Sequence, residues 1–156
     1  MTTAKSLGKA LKIRRLTLAV AESCTGGMLS ALLTDEPGAS SFFRGGVVAY
    51  SDEVKANLLG VSPATLNRHG AVSEATALEM AAGVRRTLRA DIGIAITGIA
   101  GPSGGSELKP IGLVHFAFDD GKQRVAEQRQ FEGGREEVRR AAAQYALEMA
   151  LRSMTF

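Results

Sequence analysis

The chain has no tryptophan, one cysteine and two histidines in 156 residues, and each scarcity excludes something. A lone Cys24 cannot close an internal disulfide. Without a CxxC pair or a Cys/His cluster at zinc-ligand spacing, neither a disulfide scaffold nor a zinc site is expected, and such cysteine usage fits a reducing, cytoplasmic location. His69 and His115 are isolated, so no imidazole stands in a recognisable Ser/His or Cys/His motif. Aromatic residues are few, six Phe and two Tyr, and 19 Lys and Arg against 16 Asp and Glu leave a formal charge of +3. The dense basic stripe interleaved with aromatics that nucleic-acid binding needs is missing, although an anionic small ligand is allowed. No run approaches the roughly 18 apolar residues of a membrane span, and MTTAKSLGKALKIRR lacks the apolar stretch of a secretion signal. No membrane partner is expected.

What remains is an ordinary soluble composition, 45% hydrophobic and 22% charged. It is long enough for one domain, residues 1–156, to bury about two-thirds of its unfolded surface. Leu7, Ala10, Leu11 and Arg14 repeat at helical spacing, and a short strand follows at 16–21. A helix is predicted over 25–34 and ends at Pro37-Gly38. Residues 45–50 read as a strand, after which Ser51 caps a short helix carrying Lys55, Leu58 and Leu59. Ser62 and Pro63 start another helix, whose end falls near His69. Ser73 caps the clearest one, 73–89, with Ala77, Ala81, Val84 and Leu88 on one face. Residues 92–97 form a buried strand. A glycine-rich loop precedes a hairpin made of 111–118 and 125–131, and a last helix from Arg135 to about Arg152 buries Val138, Ala142, Tyr145 and Met149. Strands separated by helices and then paired by a tight turn describe an α/β fold, with a mixed, mostly parallel sheet of about five strands.

In such sheets ligands sit beyond the carboxyl ends of the strands. Three chemically rich segments fall there: AESCTGG (21–27), the stretch from Tyr50 to Lys55, and the loop at 97–106. By local sequence Ser23 is most simply a helix N-cap. The functional alternative is a nucleophile on a strand-to-helix turn, with amides near Thr25, Gly26 and Gly27 facing a developing oxyanion. Cys24 is expected to be a buried, inert thiol, since no activating cation is evident. A serine without a histidine can use a lysine amine as base, provided the lysine is held neutral; Lys55 is available, although a solvated helix lysine is the simpler reading. Tyr50 either orients that lysine or packs. The TGIAGPSGG loop, with Thr97, Gly98 and Gly101, and Arg135 at the start of the last helix could offer donors to a phosphate. It fits neither phosphate-loop fingerprint, and Glu22 and Glu107 have no evident partners.

Together, AESCTGG, VVAYSDEVKANLLGV (47–61), HGAVSE (69–74), ITGIAGPSGGSELKPIGLVHFAF (96–118) and GGREEVRRAAAQYAL (133–147) resemble the CinA C-terminal domain family over about residues 5–153. The resemblance implies a three-layer α/β/α sandwich. It also implies a metal-independent, cofactor-free amidohydrolase that converts nicotinamide mononucleotide and water to nicotinate mononucleotide and ammonia. By position in these motifs the nucleophile falls on Ser23 and the base on Lys55, while Tyr50, Thr97 and Arg135 match supporting positions. The competing expectation is a non-catalytic nucleotide- or partner-binding module; a homodimer is the default assembly.

Overall fold

A central strand of a mixed sheet must be apolar on both faces, and β1 (Leu18–Glu22) is buried at all five positions. It pairs in parallel with β2 (Phe43–Val48) and with β3 (Ile92–Gly98). β4 (Leu113–Asp119) runs antiparallel to β3, and β5 (Arg124–Gln130) antiparallel to β4, giving the order β2-β1-β3-β4-β5. This computed structural model describes residues 1–154.

The helices are α1 (Thr3–Arg14), α2 (Met28–Thr34), α3 (Asp52–Leu59), α4 (Pro63–His69), α5 (Glu74–Thr87) and α6 (Arg135–Ser153). Hydroxyl caps set four of these starts: Thr2 accepts from the Lys5 amide, Ser51 from Val54, Ser62 from Ala64 ahead of Pro63, and Ser73 from Thr76.

The side chains of the sheet divide the molecule into layers. Leu18, Val20, Ile92, Ile94, Ile96, Val114, Phe116 and Phe118 face α1, α2 and α6 in one core. Ala19, Ala21, Ala95 and Ala117 face α5 and its neighbours in the other. Alternation along β1 and β3 thus puts bulk on one face and small residues on the other, which lets α5 lie close to the sheet. A Cβ added at Gly93 would stand 2.1 Å from the Ala81 carbonyl oxygen of α5, and one added at Gly83 would stand 1.8 Å from the Leu59 carbonyl oxygen of α3. Glycine is therefore required where α5 meets both the sheet and α3. The expected α/β/α sandwich with five strands is what the chain forms.

Three expectations need correction. The helix predicted from residue 25 begins at Met28, because Gly26 (φ +56°) and Gly27 (φ +110°) adopt left-handed backbone that a helix interior does not allow. The strand predicted at 45–50 runs instead from Phe43 to Val48. Tyr145, expected in the core, is half-buried, its ring against Phe116 and Phe131. Among the described residues no helix is long and apolar enough to cross a membrane.

Candidate active site

Because β1, β2 and β3 are parallel, the segments that follow them emerge at one edge of the sheet, and a cleft of about 330 Å³ opens there. Ser23 follows β1 directly. Its amide donates to the Ile96 carbonyl of β3 at 3.0 Å, and its carbonyl accepts from the Gly26 amide at 3.1 Å, so the chain reverses immediately after it. Ser23 is not a helix cap: α2 starts at Met28, and its first residues are held by the buried carboxylate of Glu22. Glu22 Oε1 accepts from Thr25 Oγ1 (2.7 Å) and the Leu29 amide (2.8 Å), and Oε2 from the Ser30 amide (3.0 Å) and hydroxyl (2.7 Å). A carboxylate at a helix N-terminus satisfies amides that have no intrahelical partner.

From the other side Arg139 of α6 donates to the carbonyls of Cys24 (3.0 Å) and Thr25 (3.2 Å). The segment carrying Ser23 is thus tied at its carbonyls by a guanidinium and at its helix by a carboxylate. Sequence reasoning missed both residues. The available signal was a carboxylate ending a wholly apolar strand, with a threonine three residues on.

β2 and α3 deliver the amine. The Ala49 amide continues the β1–β2 pairing by donating to the Glu22 carbonyl at 2.8 Å, which sets the Ala49 carbonyl beside Ser23. Lys55, on the inner face of α3, places Nζ 2.8 Å from that carbonyl oxygen and 3.0 Å from Ser23 Oγ. Lys55 is 1% exposed and Ser23 8%. Burial lowers the lysine pKa from its ordinary value of 10.5, against the opposing pull of the Asp52 carboxylate and of Cys24. The solvated-lysine reading is therefore wrong for this residue. The Cys24 thiol behaves oppositely: burial, only partly offset by its own backbone amide and by Arg139, pushes it up to about 11.

The remaining expected residues divide into two groups. Gly98, Gly101 and Arg135 line the cleft with Ser23 and Lys55. Arg135 donates to the Gly101 carbonyl (2.8 Å) and to the Tyr50 hydroxyl (2.9 Å), joining the loop after β3 to the end of β2. Tyr50 lies on the cleft wall but is 61% exposed; its hydroxyl meets Arg135 rather than Lys55. Thr97 also lines the cleft, yet its hydroxyl proton goes to the Ala71 carbonyl at 2.8 Å, so it is not a free donor for a phosphate. Thr25, Gly26 and Gly27 do not line the cleft, the Thr25 hydroxyl is bonded to Glu22 and the Gly26 amide to Ser23. Of the amides that follow Ser23, those of Cys24, Thr25 and Gly27 have no carbonyl acceptor among the described residues, and that of Cys24 is bonded to its own thiol.

Neither histidine reaches the cleft. His115 is buried in β4, where desolvation first and Lys109 second lower its pKa. Among the described residues no three His, Cys, Asp or Glu side chains come together where they could hold a metal ion. Chemically, a hydroxyl within hydrogen-bond reach of a buried amine is the arrangement of a nucleophile beside its base.

The CinA C-terminal domain family matches residues 1–154. This chain belongs to that family. The "Nicotinamide-nucleotide amidohydrolase PncC" of Escherichia coli K12 is 48% identical over 149 residues, covering 95% of this chain and 90% of its own length. A "CinA-like protein" of Synechocystis sp. is 59% identical over 119 residues, 76% of this chain; the chain spans only 29% of that relative's length. The crystal structure of a competence or damage-inducible protein from Enterobacter asburiae superposes with a TM-score of 0.94 at 40% identity, covering 98% of this chain and 96% of that one. CinA family membership thus agrees with the resemblance visible in the sequence motifs.

Proposed function

We propose that this CinA-family chain hydrolyses the carboxamide of nicotinamide mononucleotide, giving nicotinate mononucleotide and ammonia. The observation that carries the reading is the 3.0 Å approach of Lys55 Nζ to Ser23 Oγ in a site that keeps the lysine from water. The E. coli relative, which this chain matches over 90% of its length, supplies the substrate.

In this mechanism the neutral amine of Lys55 donates one N–H to the Ala49 carbonyl, and its lone pair takes the Ser23 proton. Oγ bonds to the carboxamide carbon, and the resulting oxyanion is met by amides of the turn after Ser23, where those of Cys24, Thr25 and Gly27 have no carbonyl acceptor among the described residues. As the C–N bond breaks, the Lys55 ammonium returns its proton to the departing nitrogen, which leaves as ammonia. Water, deprotonated by Lys55, then attacks the ester carbon; the C–Oγ bond breaks, Ser23 regains its proton and the acid product is free. Arg135 and the loop after β3 sit where they can bind the 5′-phosphate. The same reading takes residues 1–156 as one amidohydrolase domain, active in the cytoplasm and paired as a symmetric dimer.

The test is ammonia release from nicotinamide mononucleotide by the purified protein and by Ser23→Ala, Lys55→Ala and Cys24→Ala. Loss in the first two with retention in the third supports the dyad. Activity that survives Ser23→Ala but not Cys24→Ala sinks it, and nucleotide binding without any ammonia favours a binding module.

A further inference from the structure

Among the residues lining the cleft, Asp52 carries the only carboxylate, against two cations, Lys55 and Arg135. It opens α3 three residues before Lys55, a spacing that puts both side chains on one side of the helix. The carboxylate makes no hydrogen bond or salt bridge within the described residues. Its charge is nevertheless felt at the reacting centre, where it opposes the effect of burial on Lys55. Glu53 shares the same helical turn but does not line the cleft. Generic stabilisation of the helix N-terminus by acidic residues applies to both; only Asp52 also faces the site.

With Lys55 neutral, Asp52 faces the cleft as an unpaired negative charge, since the other cation there, Arg135, is bonded to the Gly101 carbonyl and the Tyr50 hydroxyl. The substrate class proposed above carries a permanent cation in the ring that bears the carboxamide and an anion at its far end. Attack by Ser23 on the carboxamide places that ring beside Lys55, and so beside Asp52, with Arg135 left for the phosphate. We propose that Asp52 is a specificity-determining counter-charge for the cationic ring, making the cleft select pyridinium amides over neutral aromatic amides of the same shape. The inference rests on the proposed amidohydrolase function. Since Asp52 is exposed to solvent, a single such pairing gives a preference of about fivefold rather than an absolute one.

The test compares kcat/KM for nicotinamide mononucleotide with that for its neutral isostere, in which a ring carbon replaces the pyridinium nitrogen. Both substrates are measured in the wild type, Asp52→Asn and Glu53→Gln at one pH. The ratio of the two values cancels any change in Lys55 protonation. Asp52→Asn is expected to lower the wild-type preference about fivefold, and Glu53→Gln to leave it within twofold. An unchanged ratio in Asp52→Asn, an equal fall in Glu53→Gln, or equal loss of both substrates in Asp52→Asn overturns the assignment. If the wild type releases ammonia from neither substrate, the amidohydrolase reading itself fails; an active wild type with an unaltered ratio overturns only the role of Asp52.

Discussion

Lys55 Nζ stands between Ser23 Oγ at 3.0 Å and the Ala49 carbonyl oxygen at 2.8 Å, with no carboxylate bonded to it among the described residues. A buried amine whose two partners are a hydroxyl and a carbonyl has no bonded carboxylate to hold its proton in place. Replacing it with a cation that cannot lose its proton should therefore abolish function as fully as removing it. Lys55→Arg and Lys55→Met are both expected to lower kcat for ammonia release by about 10² to 10⁴, the range of general-base contributions. Recovery of near wild-type turnover in Lys55→Arg would show that positive charge, not proton transfer, is what the position supplies.

The pH dependence follows from the direction of the Lys55 shift. Only the neutral amine can accept the Ser23 proton, so kcat/KM should rise with pH through an apparent pKa below the ordinary 10.5. Asp52 stabilises the ammonium form and so raises that value; Asp52→Asn should move the rising limb to lower pH. Stability carries the same signature. Between the depressed folded pKa and 10.5 the unfolded chain binds more protons, so stability rises with pH across that window. The cost of the buried ammonium is fully present below the folded pKa. Urea-unfolding midpoints measured across the window should flatten in Lys55→Met.

Glu22 and Ser23 are adjacent in sequence but face opposite layers, and the first constrains the second. Each oxygen of the Glu22 carboxylate accepts from one backbone amide and one hydroxyl. In Glu22→Gln the terminal NH₂ must face one of those amides whichever way it turns, leaving a donor opposed to a donor. The expected cost is about 2–4 kcal/mol of stability, as for lost charge-assisted bonds and a buried unsatisfied group. Ammonia release should fall with it, read beside the thermal midpoint. A fully active, fully stable Glu22→Gln would mean that the turn holding Ser23 is set by Arg139 and the two glycines alone.

Much of this arrangement was legible in local pattern. Ser51, Ser62 and Ser73 cap helices where hydroxyls precede helical runs, and the strand predicted at residues 92–97, apolar through Ile96, is a central one. What local pattern could not supply was proximity. Ser23 and Lys55 meet only because β1 and β2 pair in parallel with Ala49 one step beyond the last register pair, Glu22 with Val48. The motifs that resemble the CinA family carried that pairing; spacing did not. Ser23 read as a cap because a hydroxyl before a helix usually is one. Here a carboxylate six residues before the helix does the capping, reaching back because Gly26 and Gly27 bend the chain. Thr97 looked like a free donor because its acceptor, the Ala71 carbonyl, lies in a distant loop.

Gly83 gives a test of how the fold holds Lys55 in place. In an ordinary exposed helix, glycine to alanine stabilises by up to about 1 kcal/mol. Here a Cβ would stand 1.8 Å from the Leu59 carbonyl oxygen and 2.7 Å from its carbon, both backbone atoms of α3. Backbone cannot rotate away as a flexible side chain can, so α3 must shift. Gly83→Ala is therefore expected to reverse the usual sign and destabilise by about 1–3 kcal/mol, as overpacking does. Because Lys55 lies one helical turn before Leu59, displacement of α3 moves Nζ relative to Ser23, which follows β1 and whose turn is anchored on β3 and α6. Ammonia release should fall well below the wild-type rate at temperatures where the variant is still folded by circular dichroism. A Gly83→Ala protein that is destabilised but fully active would show that α3 adjusts without moving its lysine.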